Sequence, residues 1–296
     1  MTVQEAIDAC PDYSHERITT IYIRKGQYKE CVSIPHSKFR LHIKGEDAEG
    51  TVSTVDTYAK QNWPGLDFPV GTSGSATIYI HSSYVTFENL TFENSAGEGK
   101  DIAQAVAVFT DGDFLFFKGC RFIGNQDTLY TYGRFGKDGG IKRNYFLDCY
   151  IEGTTDFIFG PSTAWFEQCV IHCKANSYIT AASTPKEIMY GYIFNNCTVT
   201  AAADVEKVYL GRPWRDYGYT LFMNCELPAQ IRPEGWHHWQ KEREQTARYM
   251  EYNNRGPGAA TGQRVGWSRL LSKKEAQQIT LENVFSLKSE WTPVAP

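Results

Sequence analysis

The chain has 296 residues, of which 42% are hydrophobic and 22% are charged, and its formal net charge is -4. This composition excludes a disordered chain, and the slight negative charge argues against a nucleic-acid partner, which would need a basic face. No apolar stretch approaches the roughly 18 residues of a membrane span. We therefore expect a single globular domain over residues 1–296, without a membrane span.

The chain begins with a predicted helix. Thr2 and Glu5 fit a capping box, in which a threonine and a glutamate three residues later bond each other's backbone. Val3, Ile7 and Cys10 follow at helical spacing, so we expect this helix to cover the first coil of the fold. Because no signal peptide precedes it, the native start is expected to have been trimmed.

A short segment recurs through the body of the chain. Its pattern is Phe-x-x-Cys-x-apolar, and consecutive copies are separated by 20 to 30 residues, which is typical of a solenoid. Within each copy the cysteine and the later apolar residue are two apart, as in a strand. We interpret each copy as one short strand, with further strands between copies, and predict an all-β parallel β-helix. The copies begin at Phe117, Phe146, Phe166, Phe194 and Phe222, and a sixth at Phe87 has leucine in place of cysteine.

Five of the eight cysteines occupy the same place in this repeat. On stacked coils they would form an interior ladder with the strand spacing of roughly 4.7–4.9 Å. A buried free cysteine behaves as a small hydrophobic residue, and no Cys-x-x-Cys pair suggests zinc. We therefore predict packing, not disulfide formation, for Cys120, Cys149, Cys169, Cys197 and Cys225.

The C-terminal part of the chain departs from the repeat. Residues 228–267 are rich in Trp, Arg and Glu, and we expect long loops or a tail lying along the solenoid. Ser272 and Glu275 then repeat the capping-box signal. Solenoids need covered ends, so this second helix is either an end cap or an ordinary surface helix.

Two carboxylates share one position in consecutive coils. Asp127 lies ten residues after Phe117, and Asp156 lies ten residues after Phe146. In a parallel β-helix their backbones would be roughly 5 Å apart. Two carboxylates so close do not ionise equally, which provides an acid and an anion at neutral pH. The alternative is that one of them is an ordinary turn aspartate.

The neighbours of this pair suit an ester-cleaving site. Gln126 directly precedes Asp127 and Gln104 lies one coil earlier, so both amides could donate hydrogen bonds to an oxyanion. Arg212 lies 56 residues after Asp156, close to two coils, and its guanidinium could reach that carboxylate and hold it ionised.

Aromatic residues near these positions could bind a sugar chain. Tyr130 and Tyr132 follow Asp127, and Trp214 follows Arg212. Aromatic side chains are, however, more often part of a core than of a binding platform. If the ligand is a polyanion, local positive charge such as that of Arg212 and Arg215 must offset the net charge of the chain.

Six motifs together resemble the pectin methylesterases: FIGNQDTLY, IEGTTDFIFG, AQAVAVF, LTFENSAG, GSAT and YLGRPW. The resemblance runs from TVQEAID to VGWSRL, over nearly the whole chain. It implies a right-handed, single-stranded parallel β-helix that removes methyl groups from pectin (homogalacturonan) and releases methanol. It further implies no cofactor and no metal. We also expect a monomer, and a polysaccharide substrate indicates a secreted or periplasmic location.

The resemblance also assigns roles to individual residues. It implies that Asp156 is the nucleophile, that Asp127 is the acid and then the base, and that Arg212 is the partner of Asp156. The remaining implied positions are the oxyanion donors Gln104 and Gln126 and the substrate-binding residues Trp214, Tyr130, Phe157 and Thr77. The segment AASTP, residues 181–185, departs from the Ala-Gln of many members, so the substrate contacts there differ.

Other readings stay open at this point. An inverting glycoside hydrolase would need carboxylates roughly 6.5–9.5 Å apart, and a pectate lyase would need acidic calcium ligands. A serine hydrolase would need a Gly-x-Ser-x-Gly motif, which the chain lacks. His237 and His238 are a weak candidate metal pair, since adjacent side chains rarely converge. A carbohydrate-binding solenoid without activity is the last alternative.

Overall fold

A computed structural model describes residues 1–133, 140–240 and 242–286 of the chain. Within these residues 24 strands form three parallel sheets, and strands that follow each other along the chain mostly belong to different sheets. Each turn of the chain therefore adds one strand to each sheet, and the predicted parallel β-helix is confirmed. No helix in the described residues is long and apolar enough to cross a membrane.

The three sheets run the length of the solenoid, and within each sheet the strands lie side by side in chain order. Sheet A contains β1 (Thr19–Ile23), β4 (Leu41–Gly45), β7 (Thr86–Glu88), β10 (Leu115–Lys118), β13 (Arg143–Leu147), β16 (Thr163–Glu167), β19 (Tyr192–Asn195), β22 (Tyr219–Met223), β23 (Arg248–Tyr252) and β24 (Arg269–Leu270). Sheet B contains β2 (Gly26–Lys29), β5 (Thr51–Val55), β8 (Thr91–Asn94), β11 (Arg121–Ile123), β14 (Tyr150–Gly153), β17 (Val170–Cys173) and β20 (Thr198–Ala201). Sheet C contains β3 (Val32–Ile34), β6 (Ile78–Ile80), β9 (Val108–Thr110), β12 (Leu129–Thr131), β15 (Ile158–Gly160), β18 (Tyr178–Ala182) and β21 (Tyr209–Gly211).

The repeated phenylalanines form one column inside the solenoid. They pair in register on adjacent strands of sheet A, so that each ring lies on the next. Successive ring centroids are 4.3 to 4.9 Å apart and the rings are within 8° of parallel. Each aromatic pair adds roughly 0.5–1.5 kcal/mol to the effect of burial alone. The column consists of Phe87, Phe117, Phe146, Phe166, Phe194 and Phe222.

The repeated segment is a corner between two strands, not the single strand that we expected. The phenylalanine lies on sheet A, and in every copy but the last, where Leu227 lies outside the strands, the apolar residue after the cysteine (after Leu90 in the first copy) lies on sheet B. The second residue after each phenylalanine has a left-handed backbone, with φ between 53° and 59°, and this residue turns the chain. The six corner residues are Asn89, Gly119, Asp148, Gln168, Asn196 and Asn224.

The cysteine ladder is confirmed. All five repeat cysteines are buried directly after their corners, and all eight cysteines of the chain are free. The thiol of Cys149 donates to the carbonyl of Phe117 on the preceding coil at 3.5 Å, and Cys197 bonds Phe166 in the same way at 3.3 Å. The repeat therefore supplies one small buried side chain per coil that also satisfies a backbone carbonyl.

The N-terminal helix is also confirmed. Helix α1 (Val3–Asp8) begins with the predicted capping box, in which the Thr2 hydroxyl accepts from the backbone of Glu5 and the Glu5 carboxylate accepts from the backbone of Thr2. Val3 and Ile7 are buried in the solenoid core. The helix contacts β1 and β3 and therefore covers the first coil.

The C-terminal region differs in part from its prediction. Within residues 228–267, strand β23 pairs with β22 and extends sheet A, so this region contributes a further coil as well as loops. Helix α2 (Lys273–Ala276) begins with the predicted capping box at Ser272. Helix α3 (Leu281–Phe285) packs on the outer face of sheet A, so it covers a side of the solenoid. Its buried partners there include Phe116, Tyr145 and Trp165.

Candidate active site

Asp127 and Asp156 lie on tight loops that lead into neighbouring strands of sheet C, β12 and β15. Both have left-handed backbones, with φ of 66° and 51°, a conformation that aspartate adopts more readily than most residues. A glycine stands three residues before each one, where an added Cβ would lie within 2.6 Å of a neighbouring atom. Gly124 and Gly153 therefore allow two matching loops that turn a carboxylate outward from an apolar run.

The two carboxylates open onto one surface cavity of about 580 Å³. Seven of the nine predicted site residues line it, namely Gln104, Gln126, Asp127, Tyr130, Asp156, Arg212 and Trp214. Ala181, from the segment that departs from the family pattern, lines the cavity as well. The structure thus brings together the residues that the sequence placed on separate coils.

Two of the predicted substrate-binding residues are not at this cavity. The side chain of Phe157 is fully buried in the solenoid core, because it points inward directly after the outward-facing Asp156. Thr77 is also fully buried, and its hydroxyl donates to the carbonyl of Glu93 at 2.6 Å. Both predictions are therefore wrong in this conformation, because a fully buried side chain cannot touch a ligand.

The two carboxylates have different electrostatic surroundings. Arg212 donates two hydrogen bonds to Asp156, with Nε 2.9 Å from Oδ1 and Nη2 2.6 Å from Oδ2. Burial raises the pKa of Asp156, and the Arg212 guanidinium opposes that rise. At Asp127 burial and then the charge of Asp156 raise the pKa well above its usual range, and Arg212 opposes them only in part. Asp127 is therefore the stronger proton-binding group of the pair.

Two aromatic rings hold the Arg212 guanidinium in place. Its Cζ lies 3.9 Å from the ring centroid of Tyr178 and 3.8 Å from that of Trp239. We did not predict either residue from the sequence. The spacing of the coils could have indicated Tyr178, because the backbone of Asp156 donates to its carbonyl at 2.9 Å across adjacent coils. Trp239 lies outside the repeat, which left no signal for its position.

Aromatic side chains form one wall of the cavity. Tyr130 stacks on Phe159 with ring centroids 4.1 Å apart, and both rings meet the edge of Trp214 at about 6 Å. Tyr130 and Phe159 are register partners on β12 and β15 and face outward. Tyr130 and Phe159 are buried and Trp214 is half-buried, so Trp214 is the ring of this wall that is most open to a ligand.

The adjacent histidines do not form a metal site in the structure. The rings of His237 and His238 meet edge to face with centroids 4.7 Å apart. The Nδ1 atom of His237 accepts a hydrogen bond from the backbone of Trp239 at 3.1 Å. This hydrogen bond ties His237 to the backbone of Trp239, whose ring lies against Arg212.

The fold and the cavity define the class of site: a pair of carboxylates and an arginine on the surface of a parallel β-helix. The family model described as Pectinesterase matches residues 1–288, and the chain belongs to the pectinesterase family. It is 39% identical to pectinesterase 31 of Arabidopsis thaliana over 280 residues, which cover 93% of this chain and 85% of that relative. It spans about half (49%) of a Brassica campestris pectinesterase/pectinesterase inhibitor, at 34% identity over 95% of this chain.

Solved structures share the fold over the whole solenoid. Pectin methylesterase from carrot superposes with a TM-score of 0.85 at 30% identity, covering 96% of this chain and 89% of that one. Pectin methylesterase PemA from Erwinia chrysanthemi gives a TM-score of 0.83 at 29% identity, covering 100% and 94%. A pectin methylesterase in complex with a hexasaccharide gives a TM-score of 0.82 at 29% identity, with the same coverage.

Proposed function

We propose that the protein is a carboxylic ester hydrolase that removes methyl esters from the galacturonate residues of pectin and releases methanol. The observation that carries the proposal is the unequal carboxylate pair, in which only Asp156 is bound by Arg212. Membership of the pectinesterase family supports this reaction, and the saccharide complexes of related structures support a sugar polymer as the substrate.

In the first half of the reaction Asp156 is the nucleophile. Its ionised carboxylate attacks the ester carbonyl carbon and forms a tetrahedral intermediate. The side-chain amides of Gln104 and Gln126, which line the same cavity, donate hydrogen bonds to the oxyanion. As the bond to the methoxy group breaks, Asp127 gives its proton to the departing methanol. An acyl-enzyme on Asp156 and an ionised Asp127 remain.

In the second half Asp127 is the general base. Its carboxylate takes a proton from a water molecule, and the resulting hydroxide attacks the acyl carbon. The bond to Asp156 breaks, which restores the Asp156 carboxylate and leaves a galacturonic acid on the polymer, which then releases its own proton to solvent and becomes a carboxylate. Asp127 retains the proton for the next cycle, so the reaction needs no metal and no redox cofactor.

The surroundings of the cavity suit a long anionic chain. A second open cavity of about 640 Å³ shares Gln126 with the first and is lined by two exposed lysines, Lys60 and Lys100, and by one exposed glutamate, Glu98. On the other side Arg215 lies over the ring of Trp214, 4.9 Å from its centroid. These cations supply local positive charge to a chain of net charge -4. We propose that the enzyme acts as a monomer outside the cytoplasm, where such polymers occur.

The two aspartate roles are tested by single substitutions. Asp156→Asn should abolish both the first turnover and steady-state methanol release. Asp127→Asn keeps the nucleophile, so an activated ester, whose leaving group needs no acid, should leave an acyl adduct that mass spectrometry of the intact protein detects. Asp148→Asn is the matched control, because Asp148 is an exposed aspartate with the same left-handed backbone, φ 53°.

Three outcomes would contradict the proposal. An adduct in Asp156→Asn but not in Asp127→Asn would mean that the roles are reversed. Substantial activity in both variants would remove the pair from the mechanism. New reducing ends or unsaturated products without methanol would identify a glycosidase or a lyase instead.

A further inference from the structure

Three potential metal ligands converge at the ends of neighbouring strands, on three consecutive coils. His36 lies two residues after β3, His81 directly follows β6, and Asp111 directly follows β9. The ligand atoms of the three side chains all lie within 4.8 Å of one another. The sequence separations of 45 and 30 residues hide this group from motif reasoning. We propose that His36, His81 and Asp111 bind a divalent transition-metal ion of the zinc type.

The backbone of sheet C fixes two of the three ligands. The amide of His81 donates to the carbonyl of Ile34 at 2.9 Å, and the amide of Asp111 donates to the carbonyl of Ile80 at 2.8 Å. These bonds continue the ladder beyond the strand ends and set one ligand beside the next. The convergence is therefore a property of the coil register and does not depend on a long loop.

The distances suit one ion. Ligand atoms about 2.1 Å from a zinc ion can be at most about 4.2 Å apart. His81 Nδ1 lies 3.6 Å from Asp111 Oδ2, which is within that limit. His36 is exposed, so its imidazole can rotate to close the remaining separation. Asp111 is buried, with 2% of the residue exposed, so its carboxylate is held in a fixed position beside His81.

The chemistry of the ligands selects the class of metal. Two imidazoles and one carboxylate suit zinc, cobalt, nickel and iron, whereas calcium and magnesium prefer oxygen ligands alone. The His81 ring is flanked by Tyr79, stacked at 6.2 Å, and by Phe109 at 6.0 Å. These rings restrict the imidazole and shield one side of the group. Three protein ligands leave at least one coordination position for water or another small ligand.

A bound ion would join the first three coils of sheet C. Its site is distinct from the cavity of the carboxylate pair, since none of its three residues lines that cavity. The inference does not rest on the proposed function, because its readout is metal binding and not methanol release. A failure of one proposal therefore leaves the other untouched.

The experiment measures binding of zinc alone to the full chain after treatment with a chelator. Competition with a chromophoric chelator should show one zinc ion per chain, and cobalt should give visible absorption bands of an imidazole-ligated ion. His36→Ala and His81→Ala should weaken zinc binding about tenfold or more. His15→Ala is the control, since His15 is exposed and lies outside the group, and it should bind zinc like the wild type.

Thermal unfolding supplies a second readout and a folding control. At equal zinc concentration the unfolding temperature should rise more for the wild type than for His36→Ala, whose exposed position should leave the metal-free fold unchanged. The proposal is wrong if the wild type binds no stoichiometric zinc. It is equally wrong if His36→Ala and His81→Ala bind zinc as tightly as the wild type.

Discussion

Arg212 is the residue that makes two similar carboxylates different. Both aspartates are buried, both have left-handed backbones and both follow a glycine by three residues. Only Asp156 receives the paired hydrogen bonds of the guanidinium, and the rings of Tyr178 and Trp239 hold that guanidinium from two sides. The division of labour in the proposed mechanism thus depends on a side chain two coils away.

We predict that Arg212→Lys lowers the rate of methanol release by about a hundredfold, because lysine lacks the two-pronged geometry and the stacking plane. The pKa of Asp156 should rise, so the acidic limb of the pH–rate profile should move to higher pH. Arg232→Lys is the control, since Arg232 also lies over a tyrosine ring, at 4.7 Å, but outside the cavity. Unchanged kinetics in Arg212→Lys would contradict this account of Asp156.

Asp127 should make the fold less stable as the pH rises. Its pKa in the folded state is raised well above the usual range, mainly by burial, whereas in the unfolded chain it is about 3.9. The folded state then binds the proton more tightly, so stability falls as pH increases from about 4 through the folded pKa. Asp127→Asn removes this titration, and asparagine tolerates the same backbone.

Urea unfolding of the wild type and Asp127→Asn between pH 4 and pH 8 measures this effect. The variant should gain stability relative to the wild type as the pH rises, while Asp148→Asn, at an exposed corner, should show no such trend. If the difference in free energy of unfolding between the two proteins did not change with pH, the pKa of Asp127 would not be raised in the folded state.

The corners explain how the repeat produces the fold. Each copy of the repeat places a phenylalanine on sheet A and a left-handed residue at the corner. A cysteine, or leucine in the first copy, directly follows the corner. Asparagine, aspartate and glycine accept the left-handed backbone, and five of the six corners use them. Gln168 is the exception, with φ 55° on an exposed residue.

We predict that Gln168→Gly stabilises the protein by about 1 kcal/mol, because glycine has no Cβ to strain in this conformation. Thr198→Gly is the opposed control, since Thr198 is exposed on β20, where glycine should cost about 0.5–1 kcal/mol. Chemical unfolding measures both. A loss of stability in Gln168→Gly would show that its side chain outweighs the backbone strain.

The periodicity of the sequence predicted the coils but not their corners. Phenylalanine and cysteine are three residues apart, and neither strand nor helix periodicity explains why both point inward. The left-handed residue between them explains it, because it turns the chain from one sheet to the next. Counting coils located Asp127 and Asp156, because each lies ten residues after a repeat phenylalanine, and it located Arg212, because 56 residues after Asp156 is close to two coils. It could not locate Trp239, which lies outside the repeat, or the inward orientation of Phe157, which depends on the tight turn before it.

The accessibility of the cysteine thiols to a reagent measures whether the solenoid is folded along its length. Cys31 is exposed, and the other seven cysteines are buried. We predict that a thiol reagent modifies about one cysteine rapidly in the native protein and all eight after denaturation, since a buried thiol is inaccessible and inert. Cys31→Ser is the control and should remove the rapid phase. Rapid labelling of most thiols in the native state would contradict the ladder.

The stacking of the coils places the two aspartates on inner coils of the solenoid, with further coils on both sides of them. Each coil bonds only to its two neighbours, as in other solenoids, so opening begins at the ends of the stack. In sheet C, β12 and β15 are adjacent. Three strands (β9, β6 and β3) lie beyond β12, and two strands (β18 and β21) lie beyond β15. A terminal coil can therefore melt and re-form while Asp127 and Asp156 remain neighbours. Arg212 directly follows β21, the last strand of sheet C, so melting of that end would remove the guanidinium from Asp156 before it separated the two aspartates.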